Sequence, residues 1–156
     1  MTVAVHAGDF LVVTPFEVLD IGGTNTSSAD GGDGTTLHWQ SMRDWKKAFV
    51  FVSIGPTWNA ADAYDTFKLQ QATATAGTGV KDITGKAATA NTGTAEERLV
   101  FHLDASEMDV ANGFDFFRFY GEEDDNTGVD QVCVTYVMYE PRFSRDDQET
   151  ATEALN

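Results

Sequence analysis

"LDASEMDVANGFDFFRFY" spans Leu103–Tyr120, and its last seven residues decide the fold. Five of the seven residues of "FDFFRFY" (114–120) are aromatic. On a strand, successive side chains face opposite ways. Phe114, Phe116, Arg118 and Tyr120 therefore share one face, and Asp115, Phe117 and Phe119 share the other. Both faces are largely apolar. "KAFVFVSI" (47–54) repeats the pattern, with Phe49 and Phe51 opposite Val50, Val52 and Ile54. So does "QVCVTYVMY" (131–139), with Val132, Val134, Tyr136 and Met138 opposite Cys133, Val137 and Tyr139. A two-sheet sandwich needs only its inner faces apolar. Two explanations stand for the outward groups: the chain's own loops and scattered surface aromatics, or an interface rich in Phe, Tyr and Arg.

Further strands are expected at "FEVLDI" (16–21), "TLHWQ" (36–40), "DTFKLQQA" (65–72) and "RLVFHL" (98–103), with shorter pairing near Lys81 to Ile83. These runs are short and rich in β-branched and aromatic residues, and Gly, Thr, Asn and Asp separate them. Helix is scarce. "DASEMD" forms a single turn, with Asp104 as N-cap and Glu107 as its reciprocal capping residue, and Asn112-Gly113 ends it. "WNAADAY" (58–64) is a second single-turn candidate. The expected fold is all-β: an antiparallel β-sandwich or jelly roll with one or two single-turn helices. Residues 1–15 are read as an extended N-terminal arm, 16–143 as the sandwich domain, and 144–156 as an acidic, flexible tail.

The chain has 156 residues, enough for one domain with a real core. It carries 25 Asp and Glu against 10 Lys and Arg, a formal charge of −15. That balance argues against nucleic acid, whose phosphates need clustered cations. No apolar run reaches the ~18 residues that a membrane span requires. The N-terminus lacks the basic start and apolar stretch of a signal peptide. One Cys excludes an internal disulfide and a Cys-based zinc site. Cys133 lies in an apolar run and reads as a buried small hydrophobe.

No catalytic constellation emerges, and the chain is not expected to be an enzyme or to hold a cofactor. His6, His38 and His102 sit in extended segments, and no G-x-S-x-G, H-E-x-x-H or phosphate-binding loop occurs. "DGGDG" (30–34) and "EEDDNTGVD" (122–130) gather oxygen ligands of the kind calcium takes, but the second puts Gly128 where a ligand is needed. Both read as solvated loops. Trp39, Trp45 and Trp58 are the candidates for a sugar-binding rim, Trp45 and Trp58 because they border strands.

Two stretches carry a resemblance. "TFKLQQATATAGTGVKDITGKAAT" (66–89) and "FHLDASEMDVANGFDFFRF" (101–119), followed by a terminal strand and "PRF" at 141–143, resemble the capsid decoration, or cement, proteins of tailed phages. Met108 stands where that pattern has Leu, and "TNTSSADGGDG" has no counterpart in it. The resemblance covers about half the chain. It implies a structural virion protein on the capsid outer surface, clamping neighbouring major capsid subunits and self-associating, as a trimer in the first instance. The expected contact residues are Val3, Val5, Phe10, Leu11 and Val12 of the arm, with Phe114, Phe116, Phe117, Arg118 and Phe119 of the aromatic strand. The alternatives are a carbohydrate- or receptor-binding virion module and a head–tail connector or tail component.

Overall fold

The computed structural model describes residues 2–7, 10–15, 19–20, 39–55, 64–88, 98–123 and 131–142. They form ten strands: β1 (Thr2–Ala7), β2 (Phe10–Pro15), β3 (Leu19–Asp20), β4 (Gln40–Ser41), β5 (Trp45–Ile54), β6 (Tyr64–Ala72), β7 (Lys81–Ala88), β8 (Arg98–Asp104), β9 (Phe116–Glu123) and β10 (Gln131–Pro141). The larger sheet runs β1-β2-β10-β5-β8, with β3 also pairing β10. The smaller runs β4-β9-β6-β7. All pairings are antiparallel. With β2 and β3 taken as one interrupted strand beside β10, the interleaving is the double Greek key of a jelly roll. The all-β sandwich expected from the sequence is the fold found.

The period-two reading places the core. Val50, Val52 and Ile54 of β5, Val132, Val134, Tyr136 and Met138 of β10, and Phe101 and Leu103 of β8 face inward from the larger sheet. Phe67 and Leu69 of β6 and Phe117 and Phe119 of β9 meet them from the smaller. Among the described residues β4 pairs with Phe116 and Phe117 alone on that side of β9. The buried N–H of Phe119 instead donates to the Tyr136 hydroxyl, at 3.0 Å, across the sandwich. An orphaned amide there would cost about 1–3 kcal/mol. Burial pushes the Tyr136 hydroxyl's pKa up, so it stays neutral.

Gly121 makes room for the ring pair Phe67–Phe119, which meet edge to face at 5.3 Å. A Cβ on Gly121 would lie 3.0 Å from Phe119 Cε1 and 3.1 Å from Phe67 Cε1. Both rings are fully buried and cannot give way. Gly121→Ala is therefore expected to destabilise by about 1–3 kcal/mol, read as a lower urea midpoint at unchanged slope.

Several local expectations differ in detail. Residues 2–7 and 10–15, read as an extended arm, pair as a hairpin, and β2 pairs in turn with β10. "TVAVHA" and "FLVVTP" are both β-branched runs, and only Gly8 and Asp9 separate them, a hairpin signal. The short pairing near Lys81 is a full strand, β7, which bulges against β6 and passes through Gly85 at φ 75°. The 104–107 turn is 3-10, and a second 3-10 turn, Val110–Asn112, ends on left-handed Gly113. The expected turn at 58–64 and the loop at 30–34 lie outside the described residues, apart from Tyr64 in β6.

The capping box is present as read. Ser106 donates from N (2.9 Å) and Oγ (2.7 Å) to Asp104 Oδ1, and the Asp104 N–H donates to Glu107 Oε2 at 2.8 Å. Ser106's hydroxyl first, then its N–H, hold the Asp104 carboxyl below the usual carboxylate range. A depressed folded-state pKa stabilises above the unfolded value and loses that stabilisation as pH falls through the folded one. Asp104→Ala should therefore destabilise at pH 7, with the difference from the parent narrowing below about pH 4. A difference that is constant across that range would contradict the assignment.

Candidate functional site

The two outer faces are treated differently. On and beside the smaller sheet, four aromatic rings among the described residues are each capped by one of the chain's own cations. Arg43 lies 5.0 Å from the Phe116 ring, Lys68 5.1 Å from Tyr120, Lys81 3.8 Å from Phe114, and Arg118 4.7 Å from Trp39. Carboxylates neutralise three of these cations: Asp115 pairs with Arg43, Asp82 with Lys68, and Asp109 with Lys81. Gln70 accepts from Arg118 Nε and NH2 at 3.2 and 3.0 Å and donates to Asp82 at 3.0 Å. These rings are covered by the chain's own side chains, while Val80, just before β7, is 42% exposed.

The larger sheet has no such cover among the described residues. Its outward rows follow from the ladders. Phe49 lies between His102 of β8 and Val137 of β10. Phe51 lies between Val100 and Thr135, and Ser53 between Arg98 and Cys133. The register continues the rows: Val137 is opposite Val12, and Val12 opposite Val5. Phe49 stacks on Tyr139 at 5.1 Å and tilts against His102 at 5.2 Å, and His102 Nε2 lies 3.0 Å from the Tyr139 hydroxyl. Phe51 is 41% exposed and Val100 56% exposed. In a chain with 25 acidic residues, these three rows of β8, β5 and β10 contain none. The nearest carboxylates stand one row beyond, where Asp104 flanks Lys47, whose ammonium donates to Glu140 Oε1 at 2.6 Å. That hydrogen bond holds the Lys47 pKa above its usual value.

Five strands at ~4.8 Å spacing, with outward residues every ~6.7 Å, give this face a plan of roughly 20 Å on a side. Its described exposed apolar groups are Phe51 and Val100, flanked by the half-buried Phe49, Val137 and Tyr139.

The expected contact residues divide accordingly. Val5 and Val12 fall in the Phe49 row, Phe10 is opposite Tyr139, and Val3 is opposite Thr14. Leu11 is opposite Met138, in an inward row. Phe117 and Phe119, expected at a contact, are wholly buried core, because their parity on β9 points into the sandwich. Phe116 is nearly buried beneath Arg43. Phe114 and Arg118 are half-buried and engaged by Lys81 and by Trp39. Among the described residues Phe51 and Val100 are exposed on this face, beside the half-buried Phe49 and Tyr139, and the sequence alone does not single them out as a surface. The signal was the second face of "KAFVFVSI" and "QVCVTYVMY".

Cys133 is exposed in the Ser53 row, which corrects its reading as a buried hydrophobe. Trp45 is core rather than rim, at 4% exposure. Trp39 is held between Arg118 and the backbone of Gly77, where a Cβ would come within 3.1 Å of its Nε1. Trp58 lies outside the described residues. Among the described residues no group of three or more His, Cys, Asp or Glu could hold a metal ion, and no helix is long and apolar enough to cross a membrane.

Comparison with protein-family models, with curated proteins and with solved structures finds no match for this chain. What can be said of it rests on its own fold and surface: a β-sandwich that, among the described residues, caps the rings of one outer face with its own cations and has an acid-free centre on the other.

Proposed function

We propose that this chain is a structural virion protein that docks on the outer surface of a tailed-virus capsid and braces neighbouring major capsid subunits. The observation that carries the reading is the contrast between the two outer faces. The chain caps the outward aromatics of β9 with its own cations, yet among the described residues Phe49, Phe51 and Val100 have no such cap and lie in rows of β8, β5 and β10 without carboxylates. Such a face desolvates cheaply against another apolar surface, because it has few charges to strip of water. The two blocks that resemble decoration proteins support the same reading. Neither a catalytic group nor a cofactor is part of it. Each docked copy adds buried surface that must be broken before the shell opens, and many copies on one shell act together.

The remaining acidic surface keeps a decorated shell soluble and steers the chain towards basic capsid patches. A sugar-binding rim is less well supported, since Trp45 is core and Trp39 is already engaged by Arg118. The test is add-back. Particles stripped of the chain should take up purified chain to saturation at a fixed ratio and open at a higher temperature. Uptake without saturation, or no uptake, would reject the reading.

A further inference from the structure

The sheet edges are protected unequally. β4 is only two residues long. β7 is bulged and carries Lys81 and Lys86, which pair with Asp109 and Glu107. Short strands, bulges and lysines are the usual means of blocking edge-to-edge pairing. β8 has none of them. It runs seven residues without Pro, Gly or Lys, in unbroken register with β5 from Asp104 to Arg98, and among the described residues nothing pairs with its other side.

Its sequence, "RLVFHLD", is self-complementary when run antiparallel. With Phe101 on a twofold axis, Arg98 falls opposite the second copy's Asp104 at both ends. Leu99 then faces Leu103, and Val100 faces His102. Arg98 has no ion-pair partner among the described residues, and Asp104 engages Ser106 through Oδ1, leaving Oδ2 for a second donor. The inward residues Leu99, Phe101 and Leu103 would continue the core stripe across the join, and Val100, the most exposed large apolar residue described, would be covered by a neighbouring strand. β1, the other edge of the larger sheet, has no charge pair to set a register.

We infer that two copies of this chain pair antiparallel through β8 about a twofold axis at Phe101, joining their larger sheets into one continuous sheet. The interface is isologous, as closed dimers require. The net charge of −15 per copy does not forbid it, because charges more than ~8 Å apart are screened at physiological salt. The pairing sets two copies of the acid-free face side by side in one surface. It replaces the trimer that the resemblance implies.

The experiment is sedimentation velocity of the full chain over a concentration series at physiological salt, beside Arg98→Asp and Val100→Lys, with far-UV circular dichroism to confirm folding. Both substitutions are at exposed positions on the strand. The parent should reach twice the 17.0 kDa chain mass. Arg98→Asp sets like charges opposite at both ends of the join, and Val100→Lys puts an unpaired cation in it. Each should weaken the dimer about 10-fold or more. A parent that stays monomeric, forms a trimer, or forms a dimer indifferent to both changes would overturn the pairing. The measurement uses no shell, so its failure and the failure of shell binding are distinguishable.

Discussion

Phe51→Asp combined with Val100→Asp should reduce shell binding by at least ~100-fold while the melting temperature stays within a few degrees of the parent. Phe51 and Val100 are neighbours across β5 and β8, and among the described residues they are the two most exposed large apolar groups of the larger sheet. Two carboxylates there would have to be buried without partners on docking, and an unpaired buried charge costs several kcal/mol. In a single copy both positions face solvent, so the fold loses little; because Val100 also lies at the proposed β8 join, Phe51→Asp alone is measured beside the pair and should still weaken binding. Lys68→Ala and Asp82→Ala, on the opposite outer face, are the matched control. They remove a 2.8 Å surface ion pair that should contribute no more than about 1 kcal/mol to stability, and they should leave binding unchanged. Equal loss of binding from both faces would mean that the larger sheet is not the docking surface.

Phe117→Ala should destabilise by about 3–5 kcal/mol. Phe117 is fully buried and packs edge to face on Tyr136 at 5.7 Å. Tyr136 in turn accepts the Phe119 N–H, so a shift of its ring into the cavity also loosens the one hydrogen bond that satisfies that amide. Typical domain stability is about 5–15 kcal/mol, so a large part of the margin would go. The fall in melting temperature should be on the order of 10 °C. Phe114→Ala, at a half-buried position over Lys81, should cost far less. If the two changes cost the same, the inward–outward assignment of "FDFFRFY" is wrong.

The same strand shows what the sequence could and could not reveal. Period-two parity separated Phe117 and Phe119 from Phe116, Arg118 and Tyr120, and it separated Val50 and Val52 from Phe49 and Phe51. Which face was inner did not follow, because both faces of these strands are apolar. Nor did the cover over Phe114 and Phe116. Lys81 and Arg43 come from elsewhere in the chain and meet those rings only after the sheets form. The capping box at Asp104 and Glu107 was legible because all its partners lie within four residues. The N-terminal hairpin has a local signal, Gly8-Asp9 between two β-branched runs, that competes with the arm-like character of a terminus. Cys133 lies in a hydrophobic run, yet its parity on β10 turns it outward.

The measurement that bears most directly on the account is the copy number of this chain, relative to the major capsid protein, in purified particles of its source. A fixed simple ratio to the shell subunit is the result expected of a shell-bracing protein. A handful of copies per particle would place it in the connector or tail, and complete absence would contradict the virion reading outright.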